Sequence, residues 1–361
     1  MSEDETQTAW RTTPQTYLAS RPPEHAVAVP VSTYVTMRDG VRLAVDVHLP
    51  ANTGPVPAIL ILTPYCRHFA TAEDAPRDLE SAPGAARFRD LLVPRGDALV
   101  VDVRGTGASF GTRDSFRSPD ERLDHAEIAD WVIAQPWSNG AIGATGISHV
   151  GAAADFLAGT GHPAVRAIAP LFSVWDTWSN HYYPGGLLMN RLAETYDKLM
   201  VALDHDRRDL PAKTAYFGNP NFRGPAPVDG DNGADIAEAI REHANNFHMT
   251  GWIRDFPFRD DAQPHDPTFT RASFSPCTYA AGVRPDVAIL CVSGWMDGAG
   301  FTNGAISRFL SLPNPKKHLL LGPLGPRRPR QGRGPRARAA PAPVLSRSEP
   351  RSRQAEAPSR S

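Results

Sequence analysis

Three cysteines, Cys66, Cys277 and Cys291, are too few and too odd in number for a disulfide framework. No Cys-x-x-Cys pair and no His-Glu-x-x-His string offers a metal site. No apolar run approaches the roughly 18 residues of a membrane span, and the acidic start Met-Ser-Glu-Asp-Glu has no apolar leader core. An excess of one charge is missing too. Lys and Arg number 38 against 39 Asp and Glu, a net of -1 with a pI near 6.9, which argues against a chain-wide nucleic-acid partner. The expectation is a soluble, cytoplasmic protein with no cofactor, no metal, no nucleic-acid partner and no membrane partner. What is present is a globular composition: 361 residues, 41% apolar and 21% charged, ample for a large core. The charge is unevenly spread. Leu324–Ser361 holds ten Arg, no Lys and two Glu (10 − 2 = +8), leaving the first 323 residues with 28 − 37 = −9.

Residues 1–29 are polar and punctuated by proline, and read as a loose arm. Val31–Met37 and Val41–Leu49 flank Arg38-Asp39-Gly40, a hairpin signal, because Gly accepts the positive φ of a primed turn. Ala58–Leu62 and Ala98–Val103 are short apolar runs suited to strands buried on both faces. Leu123–Ile133 has helical apolar spacing, Ala141–Thr145 reads as a strand, and His149–Leu157 as a helix. Ala167–Pro170, Val287–Val292 and His318–Leu321 complete the strands. Such alternation predicts an α/β fold with a mostly parallel sheet covered on both sides. Residues 175–279, rich in Trp, Tyr, His and Asn with one helical segment near Ala234–Met249, read as an inserted helical cap. The core is therefore expected in two halves, 30–174 and 280–323.

Gly146-Ile147-Ser148-His149-Val150-Gly151 lies between a strand and a helix. A nucleophilic serine needs such a turn, so that its hydroxyl projects above the sheet while the helix N-terminus offers amides to an oxyanion. The generic elbow has its second Gly two residues after Ser; here it comes three after. Alone the string reads as a Gly–Ser turn, and its strand–helix setting favours the nucleophile. Asp297, in Gly294-Trp295-Met296-Asp297 after another buried strand, sits where an acid orienting a histidine belongs, and equally where a helix cap belongs. Tyr65, ending Thr63-Pro64-Tyr65, offers a hydroxyl to an oxyanion or simply forms an aromatic rim. Gly105-Thr106-Gly107 lacks the further residues of a phosphate loop and reads as a structural turn. His149 supplies a backbone N–H; adjacency to Ser148 does not give its ring the geometry of a base.

These strings, with Met37–Leu43, Asp102–Gly107, Gln135–Gly140 and Tyr183–Gly186 in the same order, resemble the CocE/NonD hydrolases, which include cocaine-esterase-like and Xaa-Pro dipeptidyl-peptidase-like enzymes. The resemblance covers about Val31–Pro323. It implies an α/β-hydrolase fold with a helical cap; the family's C-terminal jelly roll is expected to be missing here. It makes Ser148 the acyl-accepting nucleophile and Asp297 the acid that steadies a catalytic histidine. The Tyr65 hydroxyl and the His149 N–H become the oxyanion hole. The implied substrate is a small-molecule ester or amide, or a short peptide with an Xaa-Pro dipeptidyl bond; Asp260 and Asp261, acidic and in the cap, read by default as a solvated turn. The same fold also accommodates a non-catalytic small-molecule-binding remnant, and oligomeric state is left open.

One departure is sharp. The family loop carrying the histidine reads Gly-Pro-Trp-x-His-Gly, whereas residues 322–327 read Gly-Pro-Leu-Gly-Pro-Arg. One extra C in GGC CCC TGG GAC CAC GGC produces that string, and every residue type after Pro323 has GC-rich codons. The expectation is an out-of-frame tail over 324–361, a lost general base, and a chain impaired as an enzyme. A genuine disordered basic tail is the other reading.

Overall fold

The computed structural model describes residues 14–71, 85–95, 99–208, 210, 222–264 and 266–323. Met1–Pro326 gathers into one compact unit, and the second unit, Arg327–Ser361, lies outside the described residues. So does the whole of the tail read as out of frame, 324–361.

One mixed sheet organises the chain. Its strands are β1 (Val31–Thr36), β2 (Arg42–Val47), β3 (Val56–Thr63), β4 (Leu99–Asp102), β5 (Ser138–Ile147), β6 (Val165–Leu171), β7 (Ala288–Gly294) and β8 (Lys317–Gly322). Their spatial order is β1-β2-β4-β3-β5-β6-β7-β8. The Asp39-Gly40 turn sets β1 antiparallel to β2, with Val35 opposite Leu43, and β2 runs antiparallel to β4. Every other pairing is parallel. In β3, Ala58, Leu60 and Leu62 enter the main core while Ile61, between them, joins an aromatic cluster on the other face. That two-sided burial is why the run is apolar without alternation.

The covering helices are α1 (Pro119–Ile133), α2 (His149–Ala158), α3 (Asn190–Asp204), α4 (Ala234–Glu242) and α5 (Phe301–Ser311). Helix α1 starts with Ser118 accepting from the Glu121 amide and Pro119 at its first position, the chemistry of a helix N-terminus. All ten residues of α2 are buried, and Ala152, Ala153, Ala154 and Ala158 let it lie close to the sheet.

The cap departs from expectation. Its longest helix is α3, 15 residues, rather than a single segment near Ala234–Met249, and it contains strands. Phe222–Pro225 pairs with Phe69–Thr71, and Ala262–Gln263 with Asp266–Thr270. Nor is the stretch before β1 wholly loose: Pro14–Ser20 is helical, Glu24 and His25 donate to the Pro94 carbonyl, and Ala28 to Leu49. The cap is docked by buried polar contacts. Asp204, ending α3, takes Arg113 and the Asn246 side-chain amide (2.9 Å), and His243 Nε2 lies 2.7 Å from the Ser109 carbonyl.

Buried pairs fix the rest. Arg67 lies 2.8 Å from Asp46 and 3.3 Å from Asp102. Arg308 on α5 reaches Asp155 on α2 at 2.7 Å and the Val174 carbonyl at 2.8 Å.

Candidate active site

Parallel strands gather the sequence-predicted residues at one edge of the sheet. Tyr65, Ser148 and Asp297 each follow the carboxyl end of a strand, β3, β5 and β7, where open α/β sheets place their functional groups.

Ser148 joins β5 to α2 with φ 64° and ψ −123°, a setting that residues with a β-carbon rarely adopt. Surrounding bonds hold it there: its amide faces the Leu171 and Phe172 carbonyls, both at 3.0 Å, and its carbonyl accepts from Ala152 at 3.1 Å. The glycine spacing follows from packing. A β-carbon on residue 146 would stand 2.2 Å from Val150 Cγ1, and one on residue 151 would stand 2.7 Å from the Gly146 carbonyl oxygen. Val150 thus fills the space that Gly146 leaves open, and the second glycine is needed one residue later than in the generic elbow.

His149 opens α2, so its amide has no partner within the helix. Its ring is buried and turned to Glu121, with Nε2 3.3 Å from Oε1. Burial pulls the imidazole below its ordinary range although Glu121 opposes this. Burial would raise the Glu121 carboxyl, but His149, His125 and the Arg117 amide together bring it down to about 2. The imidazole is therefore a wall of the site.

Tyr65 is buried, its amide donating to Thr63 Oγ1 at 3.0 Å. Its hydroxyl lies 2.5 Å from that of Tyr196 on α3, a contact no local pattern in the sequence announces. Phe116 packs edge-on to the His149 ring (5.4 Å) and against Tyr196 (5.1 Å).

Asp297 is engaged as a cap. Oδ1 accepts from the Ala299 amide at 3.0 Å and Oδ2 from the Phe301 amide at 2.9 Å, at the start of α5. Capping fixes the carboxylate in place and leaves lone pairs for a further donor. His318, the single histidine after Asp297 in the sequence, is exposed in β8 opposite Leu290 and is not part of this group. The position after β8 where the resemblance expects a histidine lies outside the described residues.

The Gly105–Gly107 turn is structural. A β-carbon at residue 107 would stand 2.3 Å from Asp102 Oδ2, and Asp102 itself accepts from the Arg67 and Ala108 amides. Asp261 closes its own turn, accepting from the Phe258 amide at 2.6 Å. Among the described residues no group of three or more His, Cys, Asp or Glu could hold a metal, and no helix is long and apolar enough to cross a membrane.

Eight strands in this order, with a strained serine between the fifth strand and a buried helix, define an α/β-hydrolase fold. Residues 39–325 match the family model described as X-Pro dipeptidyl-peptidase (S15 family), and the chain belongs to that family. Its relatives include a protein of Mycobacterium bovis named for serine-esterase activity, 37% identical over 320 residues covering 81% of this chain and 50% of that one. The cocaine esterase of a Rhodococcus strain is 34% identical over 165 residues, 45% of this chain and 26% of that one. The chain spans about half the length of the first of these relatives. Among solved structures, a CocE/NonD family hydrolase from Staphylococcus aureus superposes with a TM-score of 0.57 at 18% identity, over 81% of this chain and 45% of that one. An α-amino acid ester hydrolase gives 0.54 at 21%, over 87% and 52%. Both likenesses show the fold.

Proposed function

We propose that this chain is the catalytic core of a serine hydrolase acting on ester or amide bonds, Xaa-Pro dipeptidyl bonds among them, through an acyl-enzyme. The observation that carries the reading is Ser148, held at a positive φ between strand and helix at the carboxyl edge of the sheet. Its Oγ attacks the carbonyl carbon while a base takes its proton. The leaving alcohol or amine departs with that proton, and water releases the acid by the same route. The Tyr65 hydroxyl and the His149 amide hold the negative oxygen of the tetrahedral intermediate. Asp297 orients a histidine, and the bonds its carboxylate accepts from the Ala299 and Phe301 amides support that reading.

We propose further that this polypeptide is stalled at proton transfer. The one histidine after Asp297 is His318, and it is exposed on the outer strand. Losing one member of a triad leaves about 10³–10⁴-fold catalysis over water.

A fluorophosphonate probe and a p-nitrophenyl ester, each with and without added imidazole, test both statements. The expected result is slow labelling at Ser148 and slow turnover, both accelerated by imidazole and abolished in Ser148→Ala. Labelling elsewhere would overturn the assignment of the nucleophile. Full turnover that ignores imidazole would overturn the missing base.

A further inference from the structure

The wall beside Ser148 carries a positive charge that the hydrolysis above does not use. Arg117 follows Phe116 in the loop before α1; it is 4% exposed and has φ 61°, a setting that is strained for a residue with a β-carbon. Its guanidinium is hydrogen-bonded to the Tyr182 hydroxyl. Nε and Nη2 are buried and meet no acceptor among the described residues. Glu121, close in sequence, does not serve them: Oε1 faces His149 at 3.3 Å and His125 at 3.6 Å, and Oε2 takes the Arg117 backbone amide at 3.0 Å. Other buried arginines differ. Arg67, Arg104, Arg113 and Arg308 each face a carboxylate, and Arg271 lies among the Trp178, Tyr183 and Phe256 rings.

A guanidinium keeps its proton, so a buried one without an anion is incomplete. The Nε–H and one Nη2–H bond run parallel, and that edge matches the two oxygens of a carboxylate side-on. Its place is at the candidate site. The neighbouring Phe116 ring touches His149 and Tyr196, and the Tyr196 hydroxyl touches that of Tyr65.

We infer that Arg117 is the anchor for a carboxylate on the substrate, gripped by the Nε–Nη2 edge beside the Tyr182 hydroxyl. The substrate class is an ester or amide with a second, acidic group, such as the half-ester of a dicarboxylic acid or an N-acyl amino acid. The ligand is a substrate only if the hydrolase reading above holds; the anion site itself does not depend on it.

Calorimetric titration of the full chain with 3-phenylpropionate and with 3-phenylpropionamide separates charge from shape. The carboxylate is expected to bind at least tenfold more tightly, with that preference kept in Ser148→Ala and lost in Arg117→Gln. Arg117→Lys, which keeps the charge without the two-donor edge, is expected to lose most of it. Equal affinity for the two probes, or millimolar concentrations of both without binding, overturns the proposal in the unaltered chain, whatever the variants do. So does a preference that survives Arg117→Gln. Failure of Ser148 labelling alongside an Arg117-dependent preference would sink the hydrolase reading alone, and labelling without the preference would sink the anion site alone.

Discussion

Replacing Ser148 by glycine removes a β-carbon from a backbone held at φ 64° and ψ −123°. A non-glycine residue in so sparsely populated a region costs about 1–3 kcal/mol. Glycine relieves that cost but adds freedom to the unfolded chain, worth about 0.4–1 kcal/mol in the opposite direction. The balance is a Ser148→Gly variant more stable than the parent by about 1 kcal/mol, with Ser148→Ala, which keeps the β-carbon, close to the parent. The usual order of alanine over glycine is thereby reversed at this one position. Urea midpoints at constant slope for the three proteins give the comparison directly. Ser148→Gly less stable than Ser148→Ala would refute the idea that the elbow stores strain, and with it the physical basis for reading Ser148 as a presented nucleophile.

Gly146→Ala drives a β-carbon to 2.2 Å from Val150 Cγ1 and 2.9 Å from its backbone carbon. A loss of about 1–3 kcal/mol is expected, seen as a lower urea midpoint and only partly restored by adding Val150→Ala. Tyr65→Phe strips the Tyr196 hydroxyl of its 2.5 Å partner and should cost about 1–3 kcal/mol, a cost that Tyr65→Phe/Tyr196→Phe largely removes. In imidazole-assisted turnover the same single change should lower the rate about 10²-fold through loss of an oxyanion donor. Acid should act in two stages. Burial pulls His48 and His125 down to about 4, so between pH 6.5 and 4 the unfolded chain binds protons that the folded one refuses. Stability is complete above pH 6.5 and falls by up to about 1.4 kcal/mol per pH unit for each as pH drops toward 4. Burial would raise Asp46, but bonds to His68 and Ser32 and the Arg67 charge hold it at about 2, so its contribution disappears between pH 3.8 and 2. Urea midpoints that stay flat from pH 7 to 4.5 would contradict the first stage.

The sheet was legible because its strands are apolar runs that enter the core: Ala58–Leu62 feeds clusters on both faces, and Val287, Ile289 and Cys291 enter the core from one face while Leu290 is exposed on the other. The residues at strand ends were legible for the same reason, since Tyr65, Ser148 and Asp297 are placed by where those runs stop. Helix α3 was harder. It lies in a stretch rich in Tyr, Trp and Asn and has no side-chain cap at Met189, although Leu192, Tyr196, Leu199 and Leu203 repeat at helical spacing and could have revealed it. The places of Glu121 beside His149, of Tyr196 against Tyr65 and of buried Arg117 were not legible. Glu121 stands among the acids of a helix that looks solvated, and only folding brings it to His149, 28 positions away. Arg117 beside Ser118 and Asp120 looks like an ordinary surface charge until its burial is known. Asp297 carried two readings, cap and acid; the structure shows the cap, and the two are compatible on one carboxylate.

The Arg308–Asp155 pair joins the helix behind Ser148 to the helix behind Asp297 with both side chains fully buried. Removing one partner of such a pair costs about 3–5 kcal/mol, whereas replacing both with well-packed apolar residues is often neutral or better. Neighbouring solutions in sequence space are thus separated by a valley that single substitutions cannot cross cheaply. Descendants of this chain would change positions 155 and 308 together or leave both alone, and the loops that carry Ser148 and Asp297 would inherit their spacing from a buried pair on the helices that follow them.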